Sequence, residues 1–302
     1  MAGGGPRLGA GDHFAGHRIE SLVGQGAMGA VYAARPLDRP DAPAVAIKVL
    51  TPGALSTEEM KLRFDREAHV TRRLDSPFVV RTYAAGTADD GRPYLVMELL
   101  DGHELAHHLQ TEEIDAATGL RLVAEIASVL DAAHAVGIVH RDLKPENVFL
   151  VAGEDGQKHV KVLDFGIAKV MDSKTITHGI LGTPLYISPE QIHGQVRTTP
   201  KSDIYALGML AFTIFVGTAY WSVEHEESLY AFLSSVVAGP SVSACARAAD
   251  EHDVILPPAF DAWFLEATAT DPEARYPSAS ALARGLAEAL RLPRPDVGAT
   301  TW

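Results

Sequence analysis

The 302-residue chain has one cysteine, Cys245, and one asparagine, Asn147. A lone thiol cannot close an internal disulfide, and no Cys/His spacing resembles a zinc site, so a reducing, cytoplasmic setting is expected. Positive charge is scarce: 26 Lys and Arg stand against 39 Asp and Glu, a net charge of -13, which disfavours a nucleic-acid partner. Long apolar runs are lacking too. The longest, Ala206 to Trp221, is interrupted by Gly208 and Gly217 and falls short of the roughly 20 residues a membrane span needs. It predicts a buried central helix and no membrane span. The N-terminus, MAGGGPRLGAGDH, contains no apolar signal core. With 47% hydrophobic and 22% charged residues, the chain is excluded from the wholly disordered class.

The texture of the chain changes along its length. Residues 1–13 are glycine-rich and predicted to be mobile, and the tail 292–302 carries prolines without periodicity. Between them, Ile19–Val23, Val31–Ala34, Val45–Leu50, Val79–Ala84 and Tyr94–Leu99 are β-rich runs separated by Gly, Pro and Asp. One helix interrupts them: Ser56 and Glu59 form a capping box, and Met60, Phe64, Glu67, Thr71 and Leu74 follow on one face. Beyond residue 104 the sequence turns to alanine- and leucine-rich helical stretches, among them Ala116–Ala135, Asp203–Val216 and Ser278–Leu290. An α+β, bilobal chain follows: a small, mainly antiparallel lobe over 14–98 with one helix, a hinge at 99–105 (LLDGHEL), and a larger helical lobe over 106–291. His107, His108 and His178 lack partners at metal-ligand spacing and are expected at solvated positions, and SVSACARAAD around Cys245 reads as linker-like.

The one asparagine lies in IVHRDLKPENVFL, where β-like flanks bracket a segment that is almost wholly ionisable or polar. Asp142 offers a carboxylate that can accept a hydroxyl proton, Lys144 a cation suited to a transferring phosphoryl group, and Asn147 an amide oxygen that can ligate a cation. VLDFGIA then sets Asp164 after an apolar strand, and its carboxylate and the Asn147 oxygen are hard ligands suited to Mg²⁺. Upstream, VGQGAMGAV holds Gly24, Gly26 and Gly29 in a G-x-G-x-x-G frame. Both flanks look like strands, so the glycines cap a hairpin whose backbone can lie over phosphates, and a helix-opening dinucleotide fingerprint is disfavoured. Lys48 lies in the apolar strand VAIKV, and Glu67 sits on the apolar face of the capped helix. A Lys48–Glu67 pair would satisfy both and aim the ammonium at a phosphate.

With these motifs in this order, the chain from about residue 14 to 291 resembles the eukaryotic-type Ser/Thr protein kinases, above all their bacterial members. The resemblance implies the bilobal protein-kinase fold, ATP and Mg²⁺ as cofactors, and protein serine or threonine hydroxyls as acceptors. It makes Asp142 the catalytic base, supported by Lys144, Lys48, Glu67 and Thr183, and makes Asn147 and Asp164 the Mg²⁺ ligands. ATP would be held by Val23, Gly24, Gln25, Gly26, Gly29, Val31, Ala46, Lys48, Met97 as gatekeeper, and the backbone around Glu98 and Leu100. GTPLYISPE resembles the family's substrate loop, with Ser188 in place of the usual Ala. By the same likeness, Asp203 of SDIYALG should hold the catalytic-loop backbone and Arg275 should pair with Glu190. Thr175 and Thr177 become regulatory phosphosites modified in trans between two copies of the chain, their phosphate docking on Arg141. The chain could equally be the cytosolic part of a longer membrane-anchored protein. With Lys48, Asp142 and Asp164 all present, an active enzyme is favoured over a pseudokinase scaffold.

Overall fold

The computed structural model describes residues 7–26, 29–51, 60, 64, 68, 72, 74, 76–165, 185–193 and 198–297. These form two compact units, the first ending at Asp101 and the second beginning at Gly102. No helix among the described residues is long and apolar enough to cross a membrane.

The first unit is built on a six-stranded antiparallel sheet in the order β1-β2-β3-β4-β6-β5. Its strands are β1 (His13–Phe14), β2 (His17–Gly26), β3 (Gly29–Pro36), β4 (Val45–Leu50), β5 (Thr82–Thr87) and β6 (Pro93–Glu98). Alternation along β4 sorts its side chains between two faces. Val45, Ile47 and Val49 join Phe14, Ile19, Tyr32, Ala34 and Val96 in one core cluster, whereas Leu50 packs with Leu95, Phe64 and Ala68 in another. Met60, Phe64 and Ala68 are helical at intervals of four, as the expected amphipathic helix requires, but Leu74, expected on the same face, is no longer helical, and the capping box at Ser56 and Glu59 lies outside the described residues. β5 begins later than the run Val79–Ala84 suggests, because the Arg81 N–H is taken by Glu98 Oε1 at 2.8 Å. The glycine-rich segment ahead of β1 has more structure than its composition suggests. Gly11 N–H donates to the Ile19 carbonyl at 2.8 Å, and Leu8 packs against the first cluster.

In the second unit a small sheet, β7 (Gly102–Glu104), β8 (Val148–Ala152) and β9 (Lys158–Val162), lies in the order β7-β8-β9. The helix Ala116–Ala135 has the limits its alanine- and leucine-rich stretch suggests, and Asp115 caps its first turn by accepting from the N–H groups of Ala117 and Thr118. The apolar run from Ala206 belongs to the buried helix Pro200–Val216, which opens on a Thr199/Ser202 capping box and stops at Gly217 in a left-handed conformation (φ 89°). Asp131, on the long helix, accepts from Ala279 and Ser280 N–H and so caps the helix Ala279–Leu290. The stretch around Cys245 departs from its linker-like reading: Ser243 caps a helix, Ala244–His252, whose inner face is made of Ala244, Arg247 and Ala248. The tail turns back as well, with Leu292 N–H on the Ala287 carbonyl and Val297 buried.

Gly29 decides how closely β3 and β4 can lie. Its φ is 150°, and a Cβ placed there would stand 2.0 Å from the Val49 carbonyl oxygen. Gly29→Ala is therefore expected to destabilise the first unit by about 1–3 kcal/mol, the cost of forcing backbone out of such a position. Urea denaturation of the two proteins measures it, and equal midpoints would contradict this account of the strand pair.

Candidate active site

The glycine hairpin and Lys48 belong to the first unit. β2 and β3 pair with Gly26 opposite Gly29, Gln25 opposite Ala30 and Gly24 opposite Val31, so the G-x-G-x-x-G frame caps two strands, as its flanks predict. A register shift between Leu22 and Gly24 leaves Val23 bulged and 55% exposed. Directly paired residues of an antiparallel ladder point to the same face. The pairs Val31–Lys48, Lys48–Leu95 and Ala46–Met97 therefore gather Val31, Ala46, Lys48, Leu95 and Met97 on one face of the sheet, opposite the larger apolar cluster. Leu95 shares this face with Leu50, on which Phe64 and Ala68 pack. Glu67 and the Lys48–Glu67 pair lie outside the described residues, as do Thr183, Thr175 and Thr177.

In the second unit the polar segment Ile138–Leu150 is organised by a carboxylate far away in sequence. Asp203, 1% exposed in the first turn of the helix Pro200–Val216, accepts His140 N–H at 2.7 Å and Arg141 N–H at 2.8 Å. It also accepts from His134 Nε2 at 2.8 Å. Consecutive N–H groups can converge on one carboxylate only where the backbone turns, and Arg141 has φ 69°, left-handed for a residue that is not glycine. Gln191 holds the next peptide by donating from Nε2 to the Arg141 carbonyl at 3.1 Å. Gln191 Oε1 in turn accepts from the N–H and the hydroxyl of Ser188, both at 3.0 Å. Ser188 is thus more than a small residue standing in for alanine, a role invisible without the fold.

Behind this turn Asp142 is about a quarter exposed, with Lys144 Nζ 3.1 Å from its Oδ2. Asn147 donates from Nδ2 to the Asp142 carbonyl at 2.6 Å and to its carboxylate at 3.0 Å. With both amide hydrogens on Asp142, the remaining polar atom of the Asn147 side chain is Oδ1, a hard donor. Asp164, the other expected ligand, follows β9 with φ 54°, between two neighbours fixed on His140. His140 Nε2 donates to the Leu163 carbonyl at 2.9 Å, and its ring lies 4.7 Å from that of Phe165. Leu163 N–H reaches the Asn147 carbonyl at 2.9 Å, so the segments carrying the two oxygens are joined by backbone. An amide oxygen and a carboxylate match the all-oxygen preference of Mg²⁺, and the donor chemistry of the site fits that ion.

Beneath the loop, Arg275 forms a bidentate pair with Glu190, Nη1 at 2.9 Å and Nη2 at 2.8 Å, and both side chains are almost fully buried. Ser202 Oγ donates to Glu190 at 2.7 Å, and Arg275 also reaches the carbonyls of Lys201 and Ala269. The expected roles of Asp203 and Arg275 are both seen. His108 departs from expectation. It is 5% exposed, packed beside His103 and Glu112, while His107 is exposed. Its neighbours stand five residues before it, in β7, and four after it; the His-x4-His spacing to His103 lies within the range of metal motifs and was a signal the sequence offered.

Comparison with known proteins adds an independent line. Residues 17–277 match the family model described as protein kinase domain. The chain is 35% identical to the serine/threonine-protein kinase PknJ of Mycobacterium tuberculosis over 94% of its own length and 47% of the relative's. It is 38% identical to the serine/threonine-protein kinase pkn3 of Myxococcus xanthus over 67% of its length and 38% of the relative's. It therefore spans less than half the length of these curated relatives. Among solved structures, the kinase domain of Mycobacterium tuberculosis PknI superposes with a TM-score of 0.72 at 27% identity, covering 93% of this chain and 99% of the other.

The Glu190–Arg275 pair gives a pH-dependent expectation. Burial pushes the Glu190 carboxyl up, but the hydrogen bonds and charge of Arg275, with Ser202, outweigh it and leave its pKa below the ordinary carboxylate value. A depressed pKa contributes stability above the unfolded value of about 4.3 and loses it as pH falls through the folded one. Arg275→Met, which strands a buried carboxylate, should cost about 3–5 kcal/mol at pH 7. That deficit should shrink as pH falls into the carboxylate range, because the stranded Glu190 of the variant takes up a proton at higher pH than usual while the wild type loses the contribution of its depressed pKa. Denaturant titrations of both proteins across this range read the difference directly.

Proposed function

We propose, given that the chain belongs to the protein kinase domain family, that it transfers the γ-phosphoryl group of ATP to serine and threonine hydroxyls of protein substrates. The observation that carries this reading is the catalytic turn. Asp203 and Gln191 hold Arg141 left-handed from both sides, and the next residue, Asp142, sits within reach of Lys144 and Asn147. Asp142 accepts the proton of the acceptor hydroxyl as its oxygen attacks the γ-phosphorus. The bond to the β–γ bridging oxygen breaks, ADP leaves, and Lys144 steadies the charge on the moving group. Asn147 and Asp164 would hold Mg²⁺, which supplies neutralisation of phosphate charge. On the first unit, the glycine hairpin with Val23, Gly24, Gln25, Gly26 and Gly29 would cover the phosphates. Val31, Ala46 and Met97 would line the purine, Glu98 and Leu100 would bind it through their backbone, and Lys48 would reach the phosphates. Serine and threonine are favoured because the similar curated proteins carry that name.

A pseudokinase would keep this fold without needing an intact set of reacting groups. Asp142→Asn and Asp164→Asn are each expected to lower phosphoryl transfer from γ-labelled ATP to a generic basic protein by orders of magnitude, with circular dichroism unchanged. Wild-type rates in either variant would remove the assigned roles, and no transfer by the wild type under any tested condition would favour the scaffold.

Regulation belongs to the same reading: Thr175 and Thr177 are modified in trans by a second copy, and the added charge of about -2 docks on Arg141. Mass spectrometry should find phosphate on Thr175 or Thr177 in the wild type and none in Asp142→Asn. Thr175→Ala combined with Thr177→Ala should depress transfer to added substrate. Undiminished activity in the double variant would dismiss this activation route.

A further inference from the structure

His103, His108 and Glu112 bring two imidazoles and a carboxylate together at the start of the second unit, and none of the three takes part in the proposed phosphoryl transfer. His103 stands in β7. His108 lies on the helix Leu105–Thr111, and Glu112 follows one turn later, on the same side. The three potential ligand atoms lie within 4.8 Å of one another. His103 Nε2 is 3.4 Å from His108 Nδ1, and His108 Nδ1 is 3.4 Å from Glu112 Oε1. Both separations are long for a good hydrogen bond, whose N···O or N···N distance centres on about 2.9–3.0 Å. They match the edge, about 3.3–3.4 Å, of a tetrahedron whose ligands stand about 2.0–2.1 Å from zinc.

A cationic group already lies against these atoms. Lys158, on β9, places Nζ 3.0 Å from both Glu112 oxygens and 3.4 Å from His108 Nδ1. Its side chain is 39% exposed and free to swing out to water, whereas His108 is held in place by burial. Burial, with the charge of Lys158, keeps the His108 imidazole below its usual range. The hydrogen bonds of Lys158 likewise hold the Glu112 carboxyl below its usual range, in its ionised form.

We propose that His103 Nε2, His108 Nδ1 and the Glu112 carboxylate form a binding site for a borderline divalent transition-metal ion, zinc foremost, with the Lys158 ammonium as the built-in competitor that the ion displaces. Two nitrogens and one oxygen suit zinc and its neighbours in the first transition row and not magnesium or calcium, which favour oxygen throughout. Glu112 is 54% exposed, so a fourth position facing water can be filled by solvent. The ion would bolt β7 to the helix that follows it, in a sheet whose β8 continues from Asn147 and whose β9 leads to Asp164.

Calorimetric titration of zinc into the full chain in excess Mg²⁺, which competes for the Asn147 and Asp164 oxygens, tests the site. One zinc ion per chain is expected. His103→Ala and Glu112→Gln, at less buried positions than His108, should each weaken binding by more than about tenfold, the least that loss of even an outer partner of a metal ligand costs. Lys158→Met should tighten it several-fold by removing the competing cation. Cobalt substituted for zinc should give the visible absorption of a four-coordinate ion in wild type and lose it in His103→Ala. Unchanged affinity in both ligand variants, weaker binding by Lys158→Met, or no zinc uptake by the wild type would each overturn the proposal.

Discussion

A carboxylate that is 1% exposed and accepts three hydrogen bonds has no freedom to move without stranding donors in the interior, and Asp203 is in that position. Its place is set by the first turn of the helix Pro200–Val216, where negative charge is favoured by the helix dipole. That turn is anchored in its own right, since Ser202 bonds Glu190, Glu190 pairs with Arg275, and Arg275 reaches the Lys201 carbonyl. The order of dependence runs outward from this buried polar cluster. The salt bridge holds the helix start, the helix start holds Asp203, and Asp203 holds the left-handed peptide at Arg141 from which Asp142 projects. Strain in the turn at Arg141 is sustained by groups that take no part in the proposed transfer.

The first unit solves a different problem by simpler means. It must present a cation and a few apolar contacts on one side of a sheet while burying a core on the other. The period of two along β4 does both, with Val45, Ile47 and Val49 on the core side and Ala46 and Lys48 on the other. No special residue type is needed for the division.

Much of the fold was legible because it rests on periodicity and local chemistry. Ala116–Ala135 is legible in its alanine- and leucine-rich composition, and the hairpin in the strand-like residues on both sides of the glycines. What escaped depends on partners distant in sequence or on faces without large apolar residues. The helix Ala244–His252 buries Ala244, Arg247 and Ala248, a face that carries an arginine and no large apolar residue. Ser188 gains its role through Gln191 and the Arg141 carbonyl, and His108 is covered by His103 in β7 and Lys158 in β9. The positions of Asp203 and Arg275 were expected only through family resemblance. Nothing local in SDIYALG says that its aspartate meets a backbone 63 residues upstream.

The pairing of β3 with β4 bears on how such a chain tolerates changes of length. Along β4 each residue is committed to one side of the sheet, so a single inserted or deleted residue within the strand would exchange the sides and drive the Lys48 ammonium into the cluster that holds Ile47 and Val49. The mostly exposed connection between Pro36 and Val45 carries no such commitment and can absorb residues singly. Drift in length among descendants of this sequence is thereby channelled to the turn joining β3 to β4, while the strands themselves can change only in composition.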